Sequence, residues 1–130
     1  MEYTPNNIRY LNKNEVFVFG SNLDGRHGKG AALTAKRLFG AKQGVGEGLT
    51  GMSYALPTVG HNLSYMKLEK VSEHVNKFIS FAVKMTNLKF LVTEVGCGLA
   101  GHDVKAIAPM FRDCLNYEHI ILPKRFHDNM

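Results

Sequence analysis

Apolar positions along the chain fall into short periodic blocks separated by polar, glycine-rich stretches. Glu15–Phe19 (EVFVF) is a continuous apolar run of β-formers and predicts a buried strand. In Ala31–Phe39, Ala32, Ala35 and Phe39 share one helical face, with Leu38 beside it, while Lys36 and Arg37 point elsewhere. A helix is therefore predicted to start just after Gly30. Met52–Leu56 predicts a strand stopped by Pro57, which cannot donate to a ladder. Lys67–Met85 carries Val71, Val75, Phe78, Ile79 and Ala82 at helical spacing, the pattern of a long amphipathic helix. Lys89–Val95 reads as a strand, and Asp103–Leu115 as a helix with Asp103 as its N-cap or first-turn acid. His119–Leu122 is a last strand closed by Pro123, and the ends, Met1–Asn7 and Arg125–Met130, read as loose. Strands alternating with helices predict an α/β sandwich around a largely parallel sheet.

The thirteen glycines matter through their placement. Four stand in Gly20–Gly30, five in Gly40–Gly51 and three in Gly96–Gly101, with Gly60 alone. Glycine admits positive φ and close approach of a ligand to the backbone, so each cluster reads as a loop. The first and third clusters follow strands and precede helices. In parallel sheets that puts them outside the carboxyl ends of the strands, where ligands bind and helix N-termini attract anions. Gly96-Cys97-Gly98-Leu99-Ala100-Gly101 matches G-x-G-x-x-G. A dinucleotide fold is excluded, because only 29 residues follow Gly101 and Glu118 precedes the last strand instead of ending it. Two readings remain for this loop: a tight turn without ligand, or a cradle of backbone N–H groups for a diphosphate or ribose phosphate. Gly20–Gly30 is not a P-loop, since no Gly-Lys-Ser/Thr closes it. Ser21 and Asn22 offer hydrogen-bonding groups there, and Arg26, His27 and Lys29 offer positive charge. Gly44–Gly51 reads equally as a lid or a connection.

With 130 residues the chain has the size of one domain, 1–130, with a core expected over about 15–123. Hydrophobic residues make up 45% and charged residues 21%, a globular composition. A net charge of +5 and a pI near 9.3 favour anionic partners. Met1–Asn7 holds no basic and apolar leader pattern, and no run of 18 apolar residues exists, so neither secretion nor a membrane span is expected. Cys97 and Cys114 then read as reduced thiols of a cytoplasmic protein. No CxxC, HExxH or similar cluster points to a metal, and nothing calls for a cofactor.

Three blocks carry a resemblance. Arg26-His27-Gly28-Lys29-Gly30-Ala31-Ala32, followed by Phe39-Gly40, resembles the first ligand loop and helix of macro domains, nearest the branch of terminal ADP-ribose protein glycohydrolases. Glu94-Val95-Gly96-Cys97-Gly98-Leu99 is similar to that branch's second signature, and Tyr54-Ala55-Leu56-Pro57-Thr58 to its middle strand. Short macro-like proteins of bacteria and phages show much the same blocks. The resemblance implies a three-layer α/β/α sandwich with a mostly parallel mixed sheet, and an ADP-ribose-type ligand. It implies that Asn22, Gly28 and Gly30 face the distal ribose, with Ser21, Arg26 and Lys29 in the same loop. Gly96, Cys97, Gly98, Leu99 and Gly101, with Ala100 among them, would meet phosphates through the backbone. Two departures bear on activity. The Gly-Asp-Ile/Leu segment that contacts adenine in macro domains is missing, and the glycohydrolases' lysine and aspartate correspond here to Val59 and Ala100. Neither side chain can act as nucleophile, acid or base. Candidate catalytic groups in their stead are Asp24, His27, His61 and Asp103, each of which also reads as a loop or capping residue.

The expected function is binding of ADP-ribose or an ADP-ribosylated target, for recognition or sequestration. The alternatives are hydrolysis of an ADP-ribosyl bond and nucleic-acid binding. The last draws on Lys36, Arg37, Lys67, Lys70, Lys77 and Lys84, although the lysines of 67–84 also suit the solvated face of an amphipathic helix.

Overall fold

The computed structural model describes residues 1–130. Its centre is β1 (Glu15–Asn22), which pairs in parallel with β3 (Ser53–Val59) on one side and β4 (Lys89–Val92) on the other. β5 (Ile120–Ile121) continues the sheet in parallel beyond β4, and the three-residue β2 (Gly48–Thr50) runs antiparallel along β3. The order is β2-β3-β1-β4-β5, a mixed and mostly parallel sheet.

Side-chain alternation along each strand divides the interior in two. Val16 and Val18 of β1, Tyr54 and Leu56 of β3, and Phe90 and Val92 of β4 face the larger core. Against them pack α2 (Leu68–Lys84), through Val71, Val75, Phe78 and Ala82, and the C-terminal third of the chain, through Ile107, Phe111 and Phe126. Phe17, Phe19, Ala55, Leu91 and Ile121 face a smaller core, covered by Ala35 and Phe39 of the α1 region (Gly30–Leu38) and by Ile8 and Leu11. The result is the predicted α/β sandwich. No helix is long and apolar enough to cross a membrane.

Several boundaries differ from the pattern reading, each for a local reason. β3 runs through Pro57, because β2 pairs only as far as Ala55 and no ladder bond is lost on that side. The predicted helix 103–115 breaks into α3 (Val104–Ile107) and a 3₁₀ run over Ala108–Asn116, where Pro109 lacks the N–H that would continue an α-helix. β4 stops at Val92. β2 is too short to leave an alternating pattern. The termini are not loose. Tyr3 bridges Leu122, Thr4 N–H donates to the Leu122 carbonyl at 2.9 Å, and its hydroxyl donates to the Ile121 carbonyl at 3.0 Å. At the other end α4 (Lys124–His127) buries Phe126 completely, with its ring 5.3 Å from that of Phe111.

Phe126→Ala therefore empties a site in the larger core. It should destabilise the protein by about 3–5 kcal/mol, read from urea unfolding, and a change below about 1 kcal/mol would show that the C-terminal turn is peripheral after all.

Candidate functional site

β1 and β3 end together at Asn22 and Val59, β4 stops earlier, at Val92 beside Val18, and the loops that leave the three strands meet. The first loop, 22–30, is built from its own amide. Asn22 Nδ2 donates to the Arg26 carbonyl, and Arg26 N–H donates to Asn22 Oδ1, both at 2.9 Å. Asn22 is buried, and this reciprocal pair engages both ends of its amide in the turn. Ser21 is also buried, and its hydroxyl donates to the Gly46 carbonyl. His27 is fully buried against the edge of Phe19. Its Nε2 lies 3.1 Å from both the Lys42 and Val45 carbonyls, so that nitrogen carries the proton, and Nδ1 has no partner. A ring so enclosed holds the loop to its support and cannot reach a ligand, which removes His27 from the catalytic candidates.

That support is the glycine stretch 44–48, which is a packed connection and not a lid. Gly44 N–H donates to the Gly25 carbonyl at 2.9 Å. A Cβ at Gly25 would stand 2.4 Å from the Gly44 carbonyl carbon, and one at Gly46 would stand 2.5 Å from the Asn22 carbonyl oxygen. Backbone lies on backbone there, a contact only glycine permits. Glu47 anchors the stretch to α2, accepting from His74 Nδ1 at 2.7 Å and from Lys77 at 3.3 Å.

What the first loop presents outward is backbone and charge. Lys29 is the N-cap of α1 but supplies no capping side-chain bond, and no acid stands in the first turn. The N–H groups of Gly28 through Ala32 meet no acceptor within the chain. Arg26 and Lys29 are exposed, and neither joins an ion pair. A Cβ at Gly28 would meet nothing within 4 Å.

The second loop, 95–102, turns on Gly96 and Gly101, at φ of 79° and 78°. Cys97 N–H donates to Glu94, Gly101 N–H to Gly98 and His102 N–H to Gly96. The N–H groups of Gly96, Gly98, Leu99 and Ala100 have no acceptor within the chain. Of the donors expected to meet phosphate, Gly96, Gly98 and Leu99 are free, whereas those of Cys97 and Gly101 are engaged. The two loops approach each other: a Cβ at Gly30 would lie 3.8 Å from Leu99 Cδ1, and Leu99 itself is 80% exposed. Asp103 caps α3, its Oδ1 accepting from Lys105 N–H at 2.9 Å. Burial pushes the Cys97 thiol up to about 11, so it is no thiolate nucleophile at neutral pH.

A third segment, 58–65, closes the cleft and was not visible as a site from the glycine pattern. Thr58 is buried, and its carbonyl accepts from His102 Nε2 at 3.2 Å. Tyr65, largely exposed, packs its ring 5.2 Å from that of His102. His61 and Asp24, named separately from sequence, come together: His61 Nδ1 lies 2.7 Å from Asp24 Oδ1, and Asn62 N–H donates to Asp24 Oδ2 at 2.7 Å. These bonds hold the Asp24 carboxyl below the usual carboxylate range. Val59 bridges Tyr65 in the backbone, and Ala100 is a half-buried methyl in the second loop.

Beside the two loops lies a cavity of about 300 Å³, lined among others by Asn6, Ile8, Ala31, Thr34, Thr93 and Glu94. Ala31 directly follows the first loop, and Glu94 precedes the second. No cluster of His, Cys, Asp and Glu side chains is placed to hold a metal ion. Comparison of the chain with protein-family models, with curated proteins and with solved structures finds no match.

Asn22→Ala removes the two 2.9 Å bonds of the first loop. It should cost about 1–2 kcal/mol and lower Tm by roughly 3–8 °C in scanning calorimetry. An unchanged Tm would mean that the amide is not what shapes the loop.

Proposed function

We infer that this protein binds ADP-ribose or a related ADP-ribose-derived nucleotide in the cleft between the two glycine loops, as a recognition or sequestration module. The observation that carries this reading is the set of unengaged N–H groups at Gly96, Gly98, Leu99 and Ala100, opposite those of Gly28–Ala32 at the uncapped start of α1. Oriented amides without acceptors form a concave positive field suited to a diphosphate. Arg26 and Lys29 add exposed charge at its rim. The adjoining cavity, with Asn6, Thr34, Thr93 and Glu94 as polar groups and Ile8 and Ala31 as apolar ones, gives room for the nucleoside end. The three sequence blocks that resemble macro domains fall on these same elements. They support the choice of an ADP-ribose derivative over a simple phosphate.

The test uses the room around Gly98. A Cβ there meets nothing within 4 Å, and its φ is outside the left-handed region, so Gly98→Val should fold normally. Its branched side chain would nevertheless stand among the free amides. In calorimetric titration we expect ADP-ribose binding to weaken more than about tenfold, with Tm within about 1 °C of the parent. Wild-type protein that gives no heat with ADP-ribose, but binds oligonucleotides in a salt-sensitive way, would replace this reading with nucleic-acid binding.

A further inference from the structure

We propose that the rim of this cleft is a docking surface for the polypeptide that carries the nucleotide, and that it selects target segments combining acidic with large apolar residues. The inference rests on the reading of the cleft as an ADP-ribose site and adds to it a contact outside the nucleotide.

Leu63, Tyr65 and Leu99 form the apolar part of the surface. They are 62%, 69% and 80% exposed, and apart from Met1 and Tyr10 no other large apolar side chain is as open to solvent. None of the three packs against either core. All three border the cleft. Leu99 Cδ1 lies 3.8 Å from where a Cβ at Gly30 would stand, so it reaches from the second loop to the end of the first. Tyr65 lies on His102, where the second loop closes. Leu63 follows His61 and Asn62, both bonded to Asp24 of the first loop. Exposed apolar residues scattered singly are ordinary on a protein surface, whereas a group of them around one opening marks an interaction site.

Leu63 carries the argument furthest. It stands in the left-handed region at φ of 58°, directly after Asn62 at 55°. That geometry suits glycine and asparagine and crowds the Cβ of a leucine. The turn is held by the Gly60 N–H to Ser64 carbonyl bond of 2.8 Å and the Asn62 N–H to Asp24 bond of 2.7 Å. Neither bond uses the Leu63 side chain. The leucine therefore strains the turn and gains no burial within the chain, the balance expected of a side chain whose partner is another molecule.

Charge fixes the class of partner. Arg26 and Lys29 of the first loop are exposed, as is Lys67, two residues beyond Tyr65, and none of them joins an ion pair. Asp24 is the only acid in segments 22–30, 58–65 and 95–102, and its carboxylate is taken up by His61 and Asn62. A positive rim set with apolar side chains complements a segment of Asp, Glu, Leu and Phe. Two of the three apolar groups are aliphatic and offer no face on which bases stack, so a peptide fits this surface better than a nucleic-acid strand. Tyr65 is the kind of aromatic anchor that dominates protein contacts. Burying one such side chain is worth about tenfold in affinity.

The test compares free ADP-ribose with synthetic peptides that carry it on one serine, by calorimetric titration of the full chain. One peptide flanks the serine with Asp, Glu, Leu and Phe, a second with Gly and Ser, and a third with Lys. A fourth ligand carries ADP-ribose at the end of an oligonucleotide. We expect the acidic, apolar peptide to bind more than about tenfold more tightly than free ADP-ribose, and the Gly-Ser peptide to stay within about threefold of it. Leu63→Asn and Tyr65→Ser should each remove most of that gain, while affinity for free ADP-ribose changes by less than about threefold. Leu63→Asn should leave Tm within about 1 °C of the parent or above it, because asparagine tolerates the left-handed region. A merely structural role would instead lower Tm and weaken free ADP-ribose as much as the peptide. Three results would overturn the docking surface and leave nucleotide binding standing: an acidic, apolar peptide no tighter than ADP-ribose alone, a lysine peptide or oligonucleotide that binds more tightly than it, or variants that keep the gain or lose both ligands equally. Absence of ADP-ribose binding would overturn both readings.

Discussion

A side chain at position 20 would press on the Gly96 nitrogen and the Thr58 hydroxyl, each 3.3 Å from where its Cβ would stand. The candidate site depends on that close approach. Because β1 thins to a bare backbone near its end, the strand tips on either side, Thr58 of β3 and the turn after β4, converge on it. The first loop leaves over the same point, supported from below by Gly44 and Gly46. The cleft is thus a junction of main chains, and its character follows: many amide donors, few side chains and a mild excess of positive charge.

The interior shows why much of the fold could be read from the chain alone. Val16 and Val18 against Phe17 and Phe19 is a two-sided apolar strand, which only a sheet covered on both faces can bury. The long spacing of Val71, Val75, Phe78 and Ala82 permits only a helix on such a face. The elements that escaped have weaker local signals. Gly48–Thr50 has too few residues to alternate, and it forms because β3 offers a free edge. The N-terminal segment carries no periodicity and is held by single bonds to Ile121 and Leu122. Pro109 is visible in the sequence, but the long apolar pattern around it outweighed its missing donor.

The site was legible as loops and illegible as chemistry. Glycine clusters after strands locate the edge where the loops meet, yet they do not tell which polar side chains turn inward. In sequence Asn22 looks like a ligand contact and His27 like a catalytic group, and both are engaged in the loop's own architecture. Asp24 and His61 are 37 residues apart, and only strand register joins them. Asn22 pairs with Val59 across the parallel ladder, and two further residues along each chain bring the carboxylate to the imidazole. A register of that kind is a tertiary quantity, invisible to any local pattern.

The two cores are unequal, twenty buried residues on the α2 face and ten on the α1 face. The thinner layer is the one that holds α1 and the first loop. Its opening free energy should be the lower of the two, so amide exchange in α1 would proceed through partial unfolding while α2 exchanges only with the whole molecule. An anion seated on the start of α1 would then complete a layer that the chain leaves thin. Occupancy would be recorded first as slowed exchange on one face of the sheet, before any change in global unfolding.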